Sequence, residues 1–430
     1  MLETSYLIGL LFLLVFAGVP ICFVFATVSI VGVLMVSGNP LITIPQGIFG
    51  GIKSFTLLAI PFFILAGELM NAGGITGRLV KLSSLLVGRM KGGLAQINIV
   101  SSMFFGGITG SSVADTSAIG GILIPAMVKE GYRADFSVAV TATSSVVGPI
   151  IPPSIVMVVY GATMNTSIGA LFLGGVIPGI LIGFSLMVVV MLMARKNEFP
   201  KRTERYTSKE IVRIMTDAII PLGMPLIIMG GILSGIFTPT EAGAISAFYA
   251  FIIGMFITKG KILYILPELI FKTAKTTASV LLILGIATVL SRIFAILRIQ
   301  QALGSFIATN ITDKILFLVF VNILLIFMGM FMEGNATIIL MGPILAPIAI
   351  MYGIHPIQFG LIMCMNAVIG NATPPVGFCL FVGSTIGKVP LVQVAKKAIP
   401  FVFAEIVVLL LVTFIPVLTT WLPRMSGMIK

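Results

Sequence analysis

The sequence predicts an all-α polytopic membrane protein made of inverted repeats, each with a re-entrant helical hairpin and a helix broken by Gly and Pro. Three observations lead there. The 430 residues are 58% hydrophobic and only 9% charged, with a mean hydropathy of +1.18, so apolar stretches recur too often and run too long for a soluble core. The 46 glycines and 23 prolines fall repeatedly inside those stretches, which suits interrupted helices better than plain rods. Finally, two distant segments repeat one pattern of Gly, Pro and Thr.

Full spans are expected at 5–20, 21–37, 56–72, 137–163, 170–194, 214–236, 240–257, 277–291, 358–385 and 399–421, each near the ~20 residues that cross ~30 Å of hydrocarbon. The N-terminal MLETSYLIGLLFLLVFAGVP lacks the basic segment of a cleaved signal peptide and reads as the first span. Two further apolar segments, about 94–128 and 315–350, carry polar or small residues near their centres and fit poorly as single crossings. They are expected to be hairpins that enter and leave on one side.

A net charge of +12 would suggest a nucleic-acid partner in a soluble chain, but here the basic residues gather in short loops. With the N-terminus outside, on the periplasmic face, the loops at 76–93, 129–136, 195–213, 258–276 and 386–398 are cytoplasmic and hold 20 of the 26 Lys and Arg. Only Lys53, Arg292, Arg298, Lys314, Arg424 and Lys430 remain for the other face, a strong orientation signal. The hydrophilic loop 194–213 divides the chain nearly in half and, beyond its topogenic role, could touch anionic lipid.

The internal repeat relates VVGPIIPPSIVMVVYGAT at 146–163 to VIGNATPPVGFCLFVGST at 368–385. Gly148 matches Gly370, Pro152 and Pro153 match Pro374 and Pro375, Gly161 matches Gly383, and Thr163 matches Thr385, all 222 residues apart. The same spacing pairs Ala114 with Ala336, ILIP at 122–125 with ILAP at 344–347, and Pro178 with Pro400. Counting the span at 137–163, five crossings separate the hairpins, which inverts the copies. That is the architecture of a secondary transporter with its site at the repeat interface.

A hairpin turning back at membrane depth exposes backbone groups that lipid cannot satisfy, so its tip must face protein or a polar cavity. Thr109, Ser111, Ser112, Asp115, Thr116 and Ser117 crowd the first tip; Glu333, Asn335 and Thr337 sit at the second. Opposite lie the breaks TATSSVVGPIIPPS at 141–154 and MNAVIGNATPPVG at 365–377. Unwound carbonyls, hydroxyls, amides and a carboxylate are hard oxygen ligands suited to Na⁺, and half-helix N-termini favour an anionic substrate between the tips.

The tip TGSSVADTSAIG and the breaks GPIIPPS and GNATPPVG, in this order at both repeats, resemble the large membrane (M) subunit of tripartite ATP-independent periplasmic (TRAP) transporters, over essentially the whole chain. The resemblance implies an elevator mechanism, in which a transport domain slides against a scaffold, with Na⁺ as coupling ion and no other cofactor. It also implies a small four-helix (Q-type) membrane partner and a soluble periplasmic substrate-binding protein. The substrate it implies is an organic acid of the sialic acid or C4-dicarboxylate type. The scaffold with a cytoplasmic arm would be 1–93, the first transport repeat 94–194, the basic loop with scaffold helices and a second arm 195–305, and the second transport repeat 306–430.

Carried over by resemblance, the first cation site comprises Ser111, Ser112, Asp115 and Gly148, and the second Gly334, Asn335, Thr337, Gly370 and Ala372. Substrate contacts are expected from Thr116, Ser144, Ser145, Ser154, Asn366, Asn371 and Thr373. Related dicarboxylate–sodium symporters show Ser-Asn-Thr at such tips, whereas this one reads Ser-Val-Ala-Asp-Thr. Two roles stay open for Asp115: direct cation ligand, or a cap that orients backbone amides at the tip.

Other residues read more blandly. Glu241 in FTPTEAGA suits a helix N-terminus as well as it suits function. Glu68 and Glu405 lie in apolar spans and are expected to be paired. Arg292 and Arg298 suit interfacial anchors or an acidic partner. Cys22, Cys364 and Cys379 make no disulfide framework. With His355 as the one histidine, no transition-metal cluster or serine triad forms, and VGSTIGKV at 382–389 lacks the spacing of a phosphate loop, so enzyme readings fail. The competing functions are a stand-alone Na⁺/carboxylate symporter and a channel or structural membrane subunit.

Overall fold

The computed structural model describes residues 2–35, 41–196, 199, 206–298, 311 and 313–429, and they form helices and connecting turns with no strand among them. The basic residues Lys201, Arg202 and Arg205, and the expected boundary between 305 and 306, lie outside the described residues. Among the described residues, eight helical segments are long and apolar enough to cross a membrane.

Helices α1 (Leu2–Phe16), α2 (Ile21–Met35), α3 (Thr43–Ile52) and α4 (Ala59–Ala72) open the chain. At 15 residues each, α1 and α2 are shorter than the spans expected at 5–20 and 21–37. The stretch expected to be a loop at 76–93 is mostly a helix, α5 (Ile75–Val87). Its Arg78 and Lys81 mask an apolar stripe, Ile75, Leu79 and Leu82, that is buried at helical spacing. The first hairpin follows as α6 (Gly93–Thr109) and α7 (Ser112–Lys129), and the first broken helix as α8 (Ala134–Ser144), a 3₁₀ turn at Ser145–Val147 and α9 (Ile155–Met164).

The long α10 (Ile168–Lys196) leads to α11 (Ser208–Leu233), α12 (Pro239–Ile257) and α13 (Ile262–Ile296). Where a loop at 258–276 and a short span at 277–291 were expected, α13 is one helix of 35 residues. At ~1.5 Å per residue such a helix outruns the ~30 Å hydrocarbon core. Lysine and glutamate are good helix formers, so the charges that suggested a loop leave the helix unbroken. Lys272 pairs with Glu68 of α4 at 2.8 Å.

The second hairpin is α14 (Lys314–Phe331) and α15 (Gly334–Met351), and the second broken helix is α16 (Pro356–Gly370) and α17 (Phe378–Gly387). The chain ends in α18 (Leu391–Phe414) and α19 (Val417–Met425). The span expected at 399–421 therefore begins earlier and stops at Phe414, carrying Lys396 and Lys397 on a helix instead of a loop.

Corresponding elements keep the 222-residue spacing from the tips to the breaks: Ser112–Lys129 against Gly334–Met351, and the starts Ala134 and Pro356. Past the breaks the spacing becomes 223, with Ile155–Met164 against Phe378–Gly387. Past the prolines the helix ends thus shift by one position, while the sequence matches Gly161 with Gly383 and Pro178 with Pro400 keep the 222 spacing. Ser154, extended at φ −130°, caps α9, whereas α17 starts one position later, behind Gly377 at φ 52°.

Two packing regions result. In one, small residues let helices touch closely: Gly47 and Gly285 bring α3 onto α13, and Gly243 brings α12 onto α4. In the other, α8 and α16 lie innermost, with every residue from Asp135 to Ser144 and from Ile357 to Gly370 buried. The second half of each broken helix packs on the hairpin of the other copy, α9 on α15 and α17 on α7. Large apolar side chains such as Leu226, Phe256 and Phe271 point outward, as a lipid-facing surface requires.

Candidate functional site

The first tip forms because α6 ends at Gly110, a left-handed C-cap at φ 61°. A side chain there would meet Pro153 O at 2.7 Å and Ile155 N at 3.0 Å, so only glycine lets the tip settle against the start of α9. Ser111 caps α7, its Oγ accepting from Ala114 N–H at 3.4 Å. One turn on, Asp115 is completely buried. Thr109 Oγ1 donates to Asp115 Oδ1. Oδ2 is buried without a hydrogen-bond partner among the described residues. It lies where Gly148 would carry its Cβ, only 2.0 Å from that position, so the carboxylate sits against the unwound backbone of the first break.

Hydroxyls surround this contact. Thr116 and Ser145 share a hydrogen bond of 2.6 Å between their Oγ atoms, Thr116 also donates to Ser112 O at 2.9 Å, and Ser145 donates to Thr141 O at 2.6 Å. Gly106 lets α6 approach Gly148, since a Cβ there would fall 2.4 Å from Gly148 Cα.

At the second tip Glu333 takes the place of Ser111, capping α15 by accepting from Asn335 N–H at 3.2 Å and from Asn335 Nδ2 at 2.7 Å. Asn335 Oδ1 remains buried and without a partner among the described residues. Thr337 donates to Glu333 O at 3.3 Å. Gly370 packs on Gly329 as Gly148 does on Gly106, a Cβ on Gly370 falling 2.5 Å from Gly329 Cα. Ala372 is buried beside it in the break, its N–H bonded to Ile369 O at 3.0 Å.

Asn371 joins the two tips. Its Nδ2 donates to Ser112 Oγ at 3.3 Å, and Gly334 stands against the same nitrogen. Its Oδ1 is a third buried oxygen at the site without a partner among the described residues. Ser112, Asp115, Thr116, Ser145 and Gly148 thus form one group, and Gly334, Asn335, Gly370 and Asn371 another, linked through Ser112.

Other residues expected at the site lie elsewhere or are engaged locally. Ser144 bonds Ser102 Oγ at 2.9 Å and Asn98 Oδ1 at 3.2 Å. Asn366 donates to Asn322 Oδ1 at 2.7 Å, in a group with Thr413. Both belong to polar knots between the first hairpin arm and the broken helix. Ser154 caps α9 through Met157 N–H at 3.2 Å, and Thr373 donates back to Ile369 O at 2.7 Å. Their oxygens compete for the backbone, as hydroxyls in buried helices do.

Sequence reading overlooked Gly106, Gly329, Asn98 and Asn322, whose partners are distant in the chain. It also gave no role to Cys379, whose thiol meets the hydroxyls of Ser112 and Thr116. Glu241 is structural: its Oε2 accepts from Thr238 N–H at 2.8 Å in a capping box. Glu68 is paired as expected, but Glu405 is not: both its oxygens are buried with no partner among the described residues.

A family model described as "Tripartite ATP-independent periplasmic transporter, DctM component" matches residues 8–418. The chain belongs to this family. TRAP permeases are transporters and not enzymes, and the chain is accordingly a multi-pass protein of the inner membrane. It is 38% identical over 415 residues to the sialic acid TRAP transporter large permease protein SiaM of Vibrio cholerae, covering 96% of both chains. It is also 38% identical over 443 residues to the C4-dicarboxylate TRAP transporter large permease protein DctM of the same organism, covering 97% of this chain and 98% of that one. In fold it is similar to the Alcanivorax borkumensis YdaH transporter, with a TM-score of 0.62 at 13% identity over 95% of this chain and 98% of that one.

Proposed function

We propose that this TRAP permease drives Na⁺-coupled uptake of an organic acid of the sialic acid or C4-dicarboxylate type by an elevator movement. The observation that carries the reading is the set of buried oxygens without partners among the described residues at the tips and the second break: Asp115 Oδ2, Asn335 Oδ1 and Asn371 Oδ1. Buried oxygens left unpaired are costly; bound cations satisfy those of Asp115 and Asn335, and the Asn371 amide is left to the substrate. Two Na⁺ sites follow, one from Ser111, Ser112, Asp115 and Gly148, the other from Gly334, Asn335, Thr337, Gly370 and Ala372. Asp115 is a direct ligand rather than a cap, because Ser111 already caps α7.

The substrate lies between the tips, with Thr116, Ser145 and Asn371 nearest, while Ser144, Ser154, Asn366 and Thr373 are taken up by helix caps and polar knots. Helix N-termini at the tips and breaks favour its carboxylate. Since Asn371 touches both tips, cation occupancy at one is felt at the other, and cations and substrate travel together.

The repeats are inverted, and the hairpins with their broken helices, in 94–194 and 306–430, move against the scaffold of 1–93 and 195–305. Closely packed α4 with α12 and α3 with α13 support a rigid scaffold, and the surplus of Lys and Arg in 76–93, 129–136, 195–213, 258–276 and 386–398 supports a periplasmic N-terminus. A small Q-type subunit completes the membrane complex, and a periplasmic binding protein delivers the substrate, in keeping with the tripartite family description.

The test is uptake of labelled sialic acid and C4-dicarboxylates into proteoliposomes holding this chain and its small subunit. Accumulation that requires both an inward Na⁺ gradient and the binding protein supports the proposal. Accumulation without the binding protein indicates a stand-alone symporter, and flux without accumulation indicates a channel.

A further inference from the structure

Glu405 is a carboxylate in the middle of α18 (Leu391–Phe414) that the two proposed Na⁺ sites do not use. It is completely buried, and neither oxygen has a hydrogen-bond partner among the described residues. Ile406 of its own helix packs into a cluster of Ile124, Val138, Ala139, Ala142, Cys379, Leu380, Val394, Ala398 and Val402, an apolar setting drawn from both copies of the repeat.

Cys379 of this cluster stands on the side of the first tip. Its thiol meets Ser112 and Thr116, and it lies within electrostatic reach of both Asp115 and Glu405. Cys379 thus stands between the two carboxylates, meeting Ser112 and Thr116 and feeling the charge of Asp115 at the first tip and of Glu405 on α18. Both carboxylates carry oxygens without partners among the described residues.

Other titratable groups on the elements packed against α18 are engaged or remote. On α8, Asp135 is bound to Arg133 at 2.7 Å and feels Lys397. On α16, Cys364 lies near Tyr160. On α10 the described charged side chain is Arg195, at the far C-terminal end. None supplies a countercharge to Glu405 by hydrogen bond or ion pair.

An isolated carboxylate charge in such a place costs far more than a folded protein tolerates, so it must be neutralised. Na⁺ needs several oxygen ligands, and neither oxygen of Glu405 has a polar partner among the described residues. A proton needs only the carboxylate itself.

We propose that Glu405 is a proton-binding site, linked through Cys379 and the Ser112–Thr116 hydroxyls to the Asp115 cation site, so that proton occupancy of α18 and Na⁺ occupancy of the first tip depend on each other. The link rests on the Na⁺ reading of Asp115; the proton site itself does not.

The experiment is infrared spectroscopy of the purified membrane complex at neutral pH, with and without Na⁺, on protein carrying ¹³C-carboxyl glutamate. The expected result is a carbonyl band of a protonated, non-hydrogen-bonded acid that shifts with the glutamate label, disappears in Glu405→Gln, persists in Glu405→Asp without the label shift, and changes when Na⁺ is added. Absence of the label-sensitive band in wild-type protein overturns the proposal without any variant, as does its survival in Glu405→Gln. A Glu405 band indifferent to Na⁺ overturns the link alone. If the band responds to Na⁺ while no Na⁺-driven uptake exists, the transport reading fails and the proton site stands.

Discussion

Asp115 Oδ2 and Gly148 are in such close contact that the carboxylate oxygen lies 2.0 Å from where a Cβ on Gly148 would stand. The first hairpin tip is thereby set directly on the unwound backbone of the first break, and a cation placed there would be held by both at once.

Replacing Asp115 by Asn keeps the shape and removes the charge. A contact to a charged group is worth about 1.5–3 kcal/mol, which corresponds to a rise of roughly ten- to a hundredfold in the Na⁺ concentration for half-maximal uptake. Na⁺ titration of uptake checks this, and an unchanged Na⁺ dependence in Asp115→Asn would return Asp115 to a merely structural role.

Glycine is needed at both breaks. Gly148→Ala and Gly370→Ala push a methyl group into Asp115 and into the backbone of Gly329, and overpacking of this kind costs about 1–3 kcal/mol. Lower thermal stability in detergent and loss of uptake are expected for both. Gly121→Ala is the control, because nothing lies within 4 Å of its Cβ position.

Asn371 bridges the tips through its 3.3 Å bond to Ser112. Asn371→Ala removes a hydrogen bond worth about 1 kcal/mol, so half-saturation by Na⁺ should rise about fivefold, and the cooperativity of the Na⁺ response should fall. A Hill coefficient identical to that of wild type would show that the sites are not joined there.

His355 gives a pH dependence of stability. Its Nδ1 accepts from Ile357 N–H at 3.2 Å and caps α16. Burial, and then the charge of Arg424, hold the imidazole below its usual range. Folding thus favours the neutral form: the contribution is present above the unfolded value of about 6.5 and is lost as pH falls through the lower folded value. A cap is worth about 1 kcal/mol, and His355→Asn, which cannot titrate, should lose less stability than wild type between pH 7 and 5. Equal losses would remove the cap from the account.

Hydropathy made the spans and hairpins legible in the sequence, because lipid demands closed backbone hydrogen bonding and long apolar runs. The tips stood out because Ser111, Asp115, Glu333 and Asn335 interrupt such runs. The helical form of α5 and the full length of α13 were missed for one reason: Arg78, Lys81, Lys272 and Lys275 look like loop residues, while a helix tolerates them on its exposed side. The positions of Ser144 and Asn366 depend on Asn98 and Asn322, which arrive from other helices by tertiary packing. Cys379 was given no role and Glu405 was wrongly expected to be paired, because an apolar run gives no sign of which polar group faces it across the fold.

The central claim, that each tip holds one Na⁺, is tested most directly by equilibrium binding of radiolabelled Na⁺ to the purified membrane complex. Comparing wild type with Asp115→Asn, Asn335→Ala and the double variant, the account predicts saturable binding that drops by one site in each single variant and by two in the double. Wild-type binding in both single variants, or no saturable binding at all, would contradict it.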